Sequence, residues 1–187
     1  MDADEYKKLL KKFHKLSDRH ILVAETDMSY PDVQKVVNFS GRIRKAGNEL
    51  VGVMKKNYEQ LMRTKKYRKM LQLYGSTEDK NKRKTYAGQL NEMQEQYNVT
   101  WDFCRVSMIP IGKKYGIDAI FALAKAEDVW RGVEKCLYGN GRMLHFSRYG
   151  DFPCIRAKQI NRGVPMSVKN DELKFKLGKL VFGIQVK

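Results

Sequence analysis

The sequence lacks the cysteine arrangements that define a disulfide scaffold or a zinc-binding domain. Its three cysteines, Cys104, Cys136 and Cys154, are separated by 32 and 18 residues, and no CxxC pair is present. An odd number of cysteines without a second Cys or His pair does not complete a tetrahedral zinc site. We therefore expect neither a disulfide framework nor a zinc finger. Cys104 and Cys136 fall on or beside apolar helix faces and are predicted to be small core residues.

Long apolar runs are also missing. No stretch approaches the ~20 apolar residues that cross a bilayer. The N-terminal residues MDADEYKKLLKKFHKL place charges where the apolar segment of a signal peptide would stand. These features predict a soluble, cytoplasmic protein without a membrane partner.

The sequence offers no set of side chains that is typical of an enzyme active site. Metal-dependent phosphoryl transfer needs carboxylates that converge on the metal ions, usually from strand ends. Near the C-terminus, where strands are predicted, Asp171 and Glu172 are adjacent and so point to opposite faces. A pairing of one of the three histidines with a cysteine stays open, although no motif indicates one. We predict no catalytic residues, no bound metal and no cofactor.

Acidic residues are few relative to basic ones, and the basic excess is clustered. The chain has 37 Lys and Arg against 21 Asp and Glu, a formal net charge of +16. Residues 31–84 hold fifteen basic and five acidic residues, and residues 142–187 hold ten and three. Clustered cations favour a polyanion, because each neutralised phosphate releases counterions. We therefore expect a nucleic-acid partner, RNA first and DNA second. The less specific interpretation is a basic surface that only aids solubility.

Apolar residues recur at helical spacing until about residue 138. The spacing predicts helices over 5–18, 29–75, 86–97, 100–110 and 118–138. Three glycines, Gly41, Gly47 and Gly52, predict a kink or break in the second helix, and Pro110 should kink or end the fourth. HILVAE at 20–25 fits either a strand or a helix end, and STEDKNKRK at 76–84 is polar enough to be a loop.

Beyond that point the apolar residues alternate. Strands are predicted over 143–148, 173–177 and 180–186, after a Gly139-Asn140-Gly141 turn whose glycines suit left-handed backbone geometry. Helices followed by strands predict an α+β protein, with an N-terminal helical bundle followed by a small antiparallel β-sheet or partial barrel. The expected regions are 1–30, with a helix and a possible strand; 31–138, a helical domain; and 139–187, a β region that is possibly truncated.

Two segments of the first basic cluster are the strongest candidates for nucleic-acid contact. RTKKYRK at 63–69 places cations around an aromatic residue, and KNKRK at 80–84 continues the positive surface. No helix-turn-helix, RNP or GXXG motif accompanies them, so we expect contact with the backbone rather than readout of bases. The candidate binding residues in the two basic clusters are Lys55, Lys56, Arg63, Lys65, Lys66, Tyr67, Arg68, Lys69, Lys82, Arg83, Lys84, Lys158 and Arg162.

The junction between the last predicted helix and the first predicted strand has a more specific pattern. Residues 126–151, AEDVWRGVEKCLYGNGRMLHFSRYGD, contain a Trp-bearing helix, an aromatic-Gly-Asn-Gly-basic turn, a His-Phe strand and a basic-x-Gly turn. This stretch resembles the segment that leads from the helical recognition lobe into the wedge barrel of transposon-encoded TnpB-like proteins, the OrfB transposase group. The likeness is weaker over 31–125, and residues 1–19 have no counterpart in it.

The TnpB-like proteins are RNA-guided DNA endonucleases whose recognition and wedge regions hold the guide RNA and the RNA–DNA heteroduplex. The resemblance implies that 31–138 is recognition-like and that 139–187 is wedge-like. It places Arg142, His145 and Arg148 near RNA phosphate and Phe146 in the barrel interior. The family's nuclease domain and zinc-binding insertion would follow the wedge, and neither is expected within these 187 residues.

The resemblance and the charge pattern together predict a non-enzymatic protein that binds guide RNA or an RNA–DNA duplex. The alternative is a mobile-element or phage regulator that competes with, or mimics part of, an RNA-guided nuclease. In that alternative the nuclease, or its nuclease domain, is a protein partner.

Overall fold

The computed structural model describes residues 30–139, 141–150 and 155–156, together with the backbone of three short strands between 166 and 185. The predicted helix over 5–18 and the ambiguous segment over 20–25 lie outside the described residues. So do the candidate binding residues Lys158 and Arg162.

Five helices account for most of the described residues. They are α1, Tyr30–Arg63; α2, Lys65–Ser76; α3, Lys80–Gln96; α4, Trp101–Lys114; and α5, Ala119–Tyr138. Side chains cap two of these helices at their start. The Asp79 carboxylate accepts hydrogen bonds from the first-turn amides of α3, and the Thr100 hydroxyl accepts one from the Phe103 amide at 3.2 Å at the start of α4.

The long helix predicted over 29–75 is divided in two, but not at its glycines. α1 runs through Gly41, Gly47 and Gly52 without interruption. The helix ends instead at Arg63, and Thr64 has extended dihedrals with its hydroxyl 3.3 Å from the Gln60 carbonyl oxygen, which accepts its hydrogen bond. A threonine that bonds back to the preceding turn competes with the helical pattern, so the break falls there.

Pro110 also fails to end its helix, because α4 continues to Lys114. The carbonyl that the missing amide would have bonded belongs to Val106, four residues earlier. Val106 is 52% exposed, so this part of the helix lies at the protein surface. Beyond the end of the helix, Gly116 is left-handed, with φ of +61°, and the Ile117 amide donates to the Gly112 carbonyl oxygen at 2.9 Å.

α1 supplies one wall of the hydrophobic core along most of its length. Its buried residues recur every three or four positions, and α4 and α5 pack against it. The Phe39 ring of α1 meets the Phe121 ring of α5 edge to face, with centroids 5.2 Å apart. α2 and α3 pack on each other as a helical hairpin next to the C-terminal end of α1. No helix among the described residues is long and apolar enough to span a membrane.

The prediction of an α+β protein with a sheet or partial barrel is wrong. Of the residues over 30–139, 141–150 and 155–156, 79% are helical, and none of them belongs to a strand, sheet or barrel. The segment over 143–148 pairs with no described strand; instead, the Asn48 side chain of α1 bonds the backbone amide and carbonyl groups of Ser147. This part of the protein is predominantly helical.

Three short strands are described by their backbone alone and follow this helical part. They are β1, Met166–Lys169; β2, Glu172–Leu177; and β3, Leu180–Gln185. They pair antiparallel in the order β1-β2-β3, with Phe175 opposite Met166 on one side and Phe182 on the other. The described pairings join these strands only to one another and not to the segment over 141–150.

Candidate nucleic-acid interface

α2, α3 and the connection over 77–79 form one positively charged unit, which we call the basic hairpin. At the start of α2, Lys65, Lys66, Arg68 and Lys69 are exposed, whereas Tyr67 in their midst is 1% exposed. At about 100° per residue, a buried Tyr67 puts Lys65 and Lys69 on the opposite face of the helix and the other two cations on its flanks. The four cations therefore surround the solvent side of the first turn of α2.

Tyr67 is a core residue, so its prediction as a nucleic-acid-binding residue is wrong. Its hydroxyl accepts a hydrogen bond from the Gln94 amide group at 3.1 Å, and the Tyr138 hydroxyl donates to the Gln94 amide oxygen at 2.8 Å. Burial raises the pKa of Tyr67, which keeps the phenol neutral. Gln94 was missed, yet its position one residue after Met93 and four after Leu90, within the apolar stripe of α3, is a signal that could have identified it.

The second group of cations lies on the first turns of α3 and not, as predicted, in a loop over 76–84. The connection is limited to 77–79, because the Asp79 carboxylate accepts from the amides of Asn81 at 2.8 Å and Lys82 at 3.3 Å and so starts the helix. Lys82, Arg83 and Lys84 are exposed there. The capping residue Asp79 is the last residue of the STED sequence. The high polarity of the whole segment led to the prediction of a loop instead of a helix start.

One cation of α3 connects the two helices of the basic hairpin. The Arg83 guanidinium lies over the Tyr74 ring of α2, 4.8 Å from its centroid. Tyr74 follows Tyr67 by seven residues, about 10 Å along the helix axis. The two cation groups are therefore near opposite ends of one rigid helical pair.

The cations of the basic hairpin have no carboxylate partners within the described part of the chain. There, carboxylates pair with Lys35, Arg105, Lys114 and Arg156. The candidate cations on α1, Lys55, Lys56 and Arg63, form no ion pair with the described carboxylates either. The described carboxylates therefore do not neutralise the positive charge of this surface.

A second basic surface follows α5. Residues 141–150, which we call the strap, run along the groove between α1 and α5. The Leu144 side chain fills this groove and is 5% exposed; its Cδ2 atom is 3.2 Å from the position that a Cβ atom at Gly132 of α5 would take. Asn48 of α1 donates to the Ser147 carbonyl oxygen and accepts from the Ser147 amide, both at 2.9 Å. These contacts hold the strap on the helical surface.

The strap begins with a turn that needs glycine for space and not for left-handed geometry. The Gly139 and Gly141 amides both donate to the Lys135 carbonyl oxygen, at 3.1 and 2.9 Å. A Cβ atom would lie 3.0 Å from that oxygen at Gly139 and 2.9 Å from it at Gly141. Gly139 has φ of −120°, an ordinary extended value, so the left-handed prediction is wrong for it. Close approach to the end of α5 explains the glycines.

Two aromatic rings of the strap are exposed beside cations of α1. Phe146 is 51% exposed, with the Lys55 ammonium 5.7 Å from its ring centroid. Tyr149 is 94% exposed, with the Arg44 guanidinium 5.3 Å from its ring centroid. The expectation that Phe146 lies in a barrel interior is therefore wrong. Its side chain points outward because Leu144, and not Phe146, occupies the groove.

The residues that the resemblance placed near RNA phosphate lie at the protein surface. Arg142, His145 and Arg148 are all exposed. Arg44 of α1 belongs to the same surface, although it was not among the candidates. Arg44 belongs to this surface because its guanidinium lies beside the Tyr149 ring. The two residues are distant in sequence, so the sequence alone did not indicate this contact.

The cysteines and carboxylates do not form a catalytic arrangement in the described residues. Cys104 is fully buried, and burial raises the pKa of its thiol to about 12. Cys136 is half-buried against the core, and burial raises its pKa as well. No three His, Cys, Asp or Glu side chains of the described ranges lie close enough to hold a metal ion. What the geometry offers is a pair of cationic surfaces, one of them with exposed aromatic rings.

No protein-family model, curated protein or solved structure matches the chain. The function proposed below is therefore argued from the two basic surfaces and from the sequence resemblance stated above.

Proposed function

We propose that the chain is a non-enzymatic nucleic-acid-binding protein that holds RNA by its phosphate backbone. The observation that carries the proposal is the basic hairpin, whose exposed cations have no carboxylate partners among the described residues. A cluster of unneutralised cations repels itself, and a polyanion removes that repulsion while releasing its counterions. The interface presents charge rather than a base-reading helix, which suits recognition of backbone and shape.

The bound RNA in this proposal is a guide RNA or an RNA–DNA duplex, as in the recognition lobe of the TnpB-like proteins. The strap supports this part of the proposal, since it leaves α5 at the junction that carries the resemblance and presents Arg142, His145 and Arg148 at the surface. In RNA-guided systems base pairing supplies the sequence specificity, and the protein supplies a positively charged channel. We further propose that this binding takes place in the cytoplasm.

A salt series tests the proposal. The affinity of the full chain for several unrelated structured RNAs should fall steeply, and similarly for each RNA, as salt rises. The double variant Lys66→Gln/Arg68→Gln removes one lysine and one arginine from the basic hairpin. If both contact phosphate, the slope of log affinity against log salt should decrease by about 1.5.

A matched control removes the same two residue types where each already has a carboxylate partner. Lys35 pairs with Asp32 at 2.9 Å and Arg105 with Asp102 at 3.3 Å, so Lys35→Gln/Arg105→Gln should leave the slope nearly unchanged. No RNA binding at low salt, a flat salt response, or equal slope changes for the two double variants would contradict the proposal. Reproducible cleavage of RNA or DNA with Mg²⁺ or Mn²⁺, absent from a mock purification, would contradict its non-enzymatic part.

A further inference from the structure

We propose that the strap is a stacking platform for single-stranded nucleic acid, in which Phe146 and Tyr149 each take one base. This inference rests on the proposed function, because the surrounding cations must first attract the phosphate backbone. It goes further, since the basic hairpin alone gives no reason to prefer a single strand. The bases of a duplex are stacked on each other and cannot lie on protein rings.

The exposure of the two rings is the first observation that carries this inference. Tyr149 is 94% exposed and Phe146 is 51% exposed, so neither ring contributes much to the core. Met143, three residues before Phe146, is 52% exposed. The strap thus presents an apolar side chain at every third residue from 143 to 149, next to exposed cations. Aromatic rings among cations are the combination that binds single strands without sequence preference.

The cations lie where a stacked nucleotide needs them. The Arg44 guanidinium covers one face of the Tyr149 ring, and the Lys55 ammonium is over one face of the Phe146 ring. The opposite face of Tyr149 is therefore open, because that residue is almost fully exposed. A base can stack on that open face, and the exposed cations of the surrounding surface attract its phosphate.

The two rings lie beside different positions of α1. A Phe146 ring atom is 3.9 Å from where a Cβ atom at Gly52 would be, and Tyr149 lies beside Arg44. These two positions of α1 are eight residues apart, so the rings offer separate contact points to two bases of one strand.

The platform is held rigid before any ligand binds. Ser147 lies between the two rings in sequence, and Asn48 bonds both its amide and its carbonyl group at 2.9 Å. Leu144 anchors the preceding turn of the strap in the groove between α1 and α5. A backbone that is already held in place loses less conformational freedom when a strand binds, which favours affinity.

Ring-removal variants measured with two probes test the inference. The probes are a 12-nucleotide oligo-U RNA and a 12-base-pair RNA duplex, each labelled for fluorescence anisotropy with the full chain. Phe146→Leu and Tyr149→Leu keep an apolar side chain but remove the ring. Each should lower affinity for oligo-U about 10-fold, and the double variant about 100-fold. Affinity for the duplex and the salt slope should stay within experimental error, because the rings carry no charge.

A control and the wild-type protein separate the possible outcomes. Val106 is 52% exposed on α4, so Val106→Ala removes exposed apolar surface elsewhere and should change neither affinity. If the wild-type protein binds both probes but the double ring variant binds oligo-U as tightly as the wild type, the stacking platform is refuted and the proposed function stands. Equal losses for oligo-U and duplex refute it as well. If the wild-type protein binds neither probe at low salt, the proposed function itself fails.

Discussion

Replacing Leu144 by alanine should destabilise the protein far more than replacing Phe146, although the two residues occupy alternate positions of an extended segment. Leu144 is 5% exposed and fills the groove beside Gly132. Truncating a buried leucine removes its transfer free energy and leaves a cavity, which together cost about 2–5 kcal/mol. Phe146 is 51% exposed, so only about half of a burial contribution of roughly 1.5–3 kcal/mol is lost, without a closed cavity. We expect about 3 kcal/mol for Leu144→Ala and about 1 kcal/mol for Phe146→Ala.

Urea unfolding monitored by circular dichroism measures both values. The midpoint should shift while the dependence on urea stays constant, which shows that the variants change stability and not the compactness of either state. Met143→Ala is the matched control, because Met143 lies in the same segment and is 52% exposed; its effect should be below about 1 kcal/mol. Large and equal losses for Leu144→Ala and Phe146→Ala would refute the strap, since they would place both side chains on one buried face, as in a strand of a sheet.

Two further predictions concern the glycines and Cys104. Gly88→Ala should raise the free energy of unfolding by about 1 kcal/mol, because nothing lies within 4 Å of the new Cβ atom and alanine is the better helix former. Gly141→Ala should lower the free energy of unfolding, because its Cβ atom would lie 2.9 Å from the Lys135 carbonyl oxygen. Thermal unfolding measures both variants, and a shift of the opposite sign in either would contradict its prediction. Burial raises the pKa of the Cys104 thiol to about 12. Cys104 should therefore resist alkylation at pH 8 in the native protein and react once the protein is unfolded. Peptide mass spectrometry measures the labelling, and labelling of native Cys104 at the rate of a free thiol would contradict its burial.

Helical periodicity predicted where helices lie, but not where the longest one ends. The apolar stripe of α1 is continuous because its residues pack on α4 and α5, and that packing outweighs the propensity cost of Gly41, Gly47 and Gly52. Two of these glycines also lie beneath other side chains, with Lys125 over Gly47 and Phe146 over Gly52. The break at Thr64 depends on local hydrogen bonds that a count of apolar positions does not detect.

The alternation over 143–148 was a misleading signal of a sheet, because Leu144 is 5% exposed and Phe146 is 51% exposed, whereas a regular strand places both on one face. An extended segment must satisfy its amides and carbonyls, and a neighbouring strand is only one way to do so. In this protein Asn48 supplies both bonds to Ser147, 99 residues further along the chain. No local pattern in the sequence indicates that an asparagine on a helix will act in place of a strand edge.

The candidate cations were easier to predict than the aromatic residues beside them. A lysine or arginine is exposed almost wherever it occurs, so the sequence alone locates the charge. An aromatic residue among cations is either a core residue or a stacking surface, and only packing decides between them. Tyr67 is held in the core by Gln94, while Tyr149, which follows no helical stripe, is left in solvent.

A chain of hydrogen bonds connects the two basic surfaces. Tyr67 lies beneath the cations of α2, and Gln94 bonds its hydroxyl on one side and that of Tyr138 on the other. Tyr138 is the last residue of α5, and the strap begins at residue 141, its turn bonded to the Lys135 carbonyl oxygen. The relative placement of the basic hairpin and the strap is therefore fixed before binding. A nucleic acid that contacts both surfaces meets a preformed arrangement, so its affinity is not reduced by the cost of ordering one surface relative to the other.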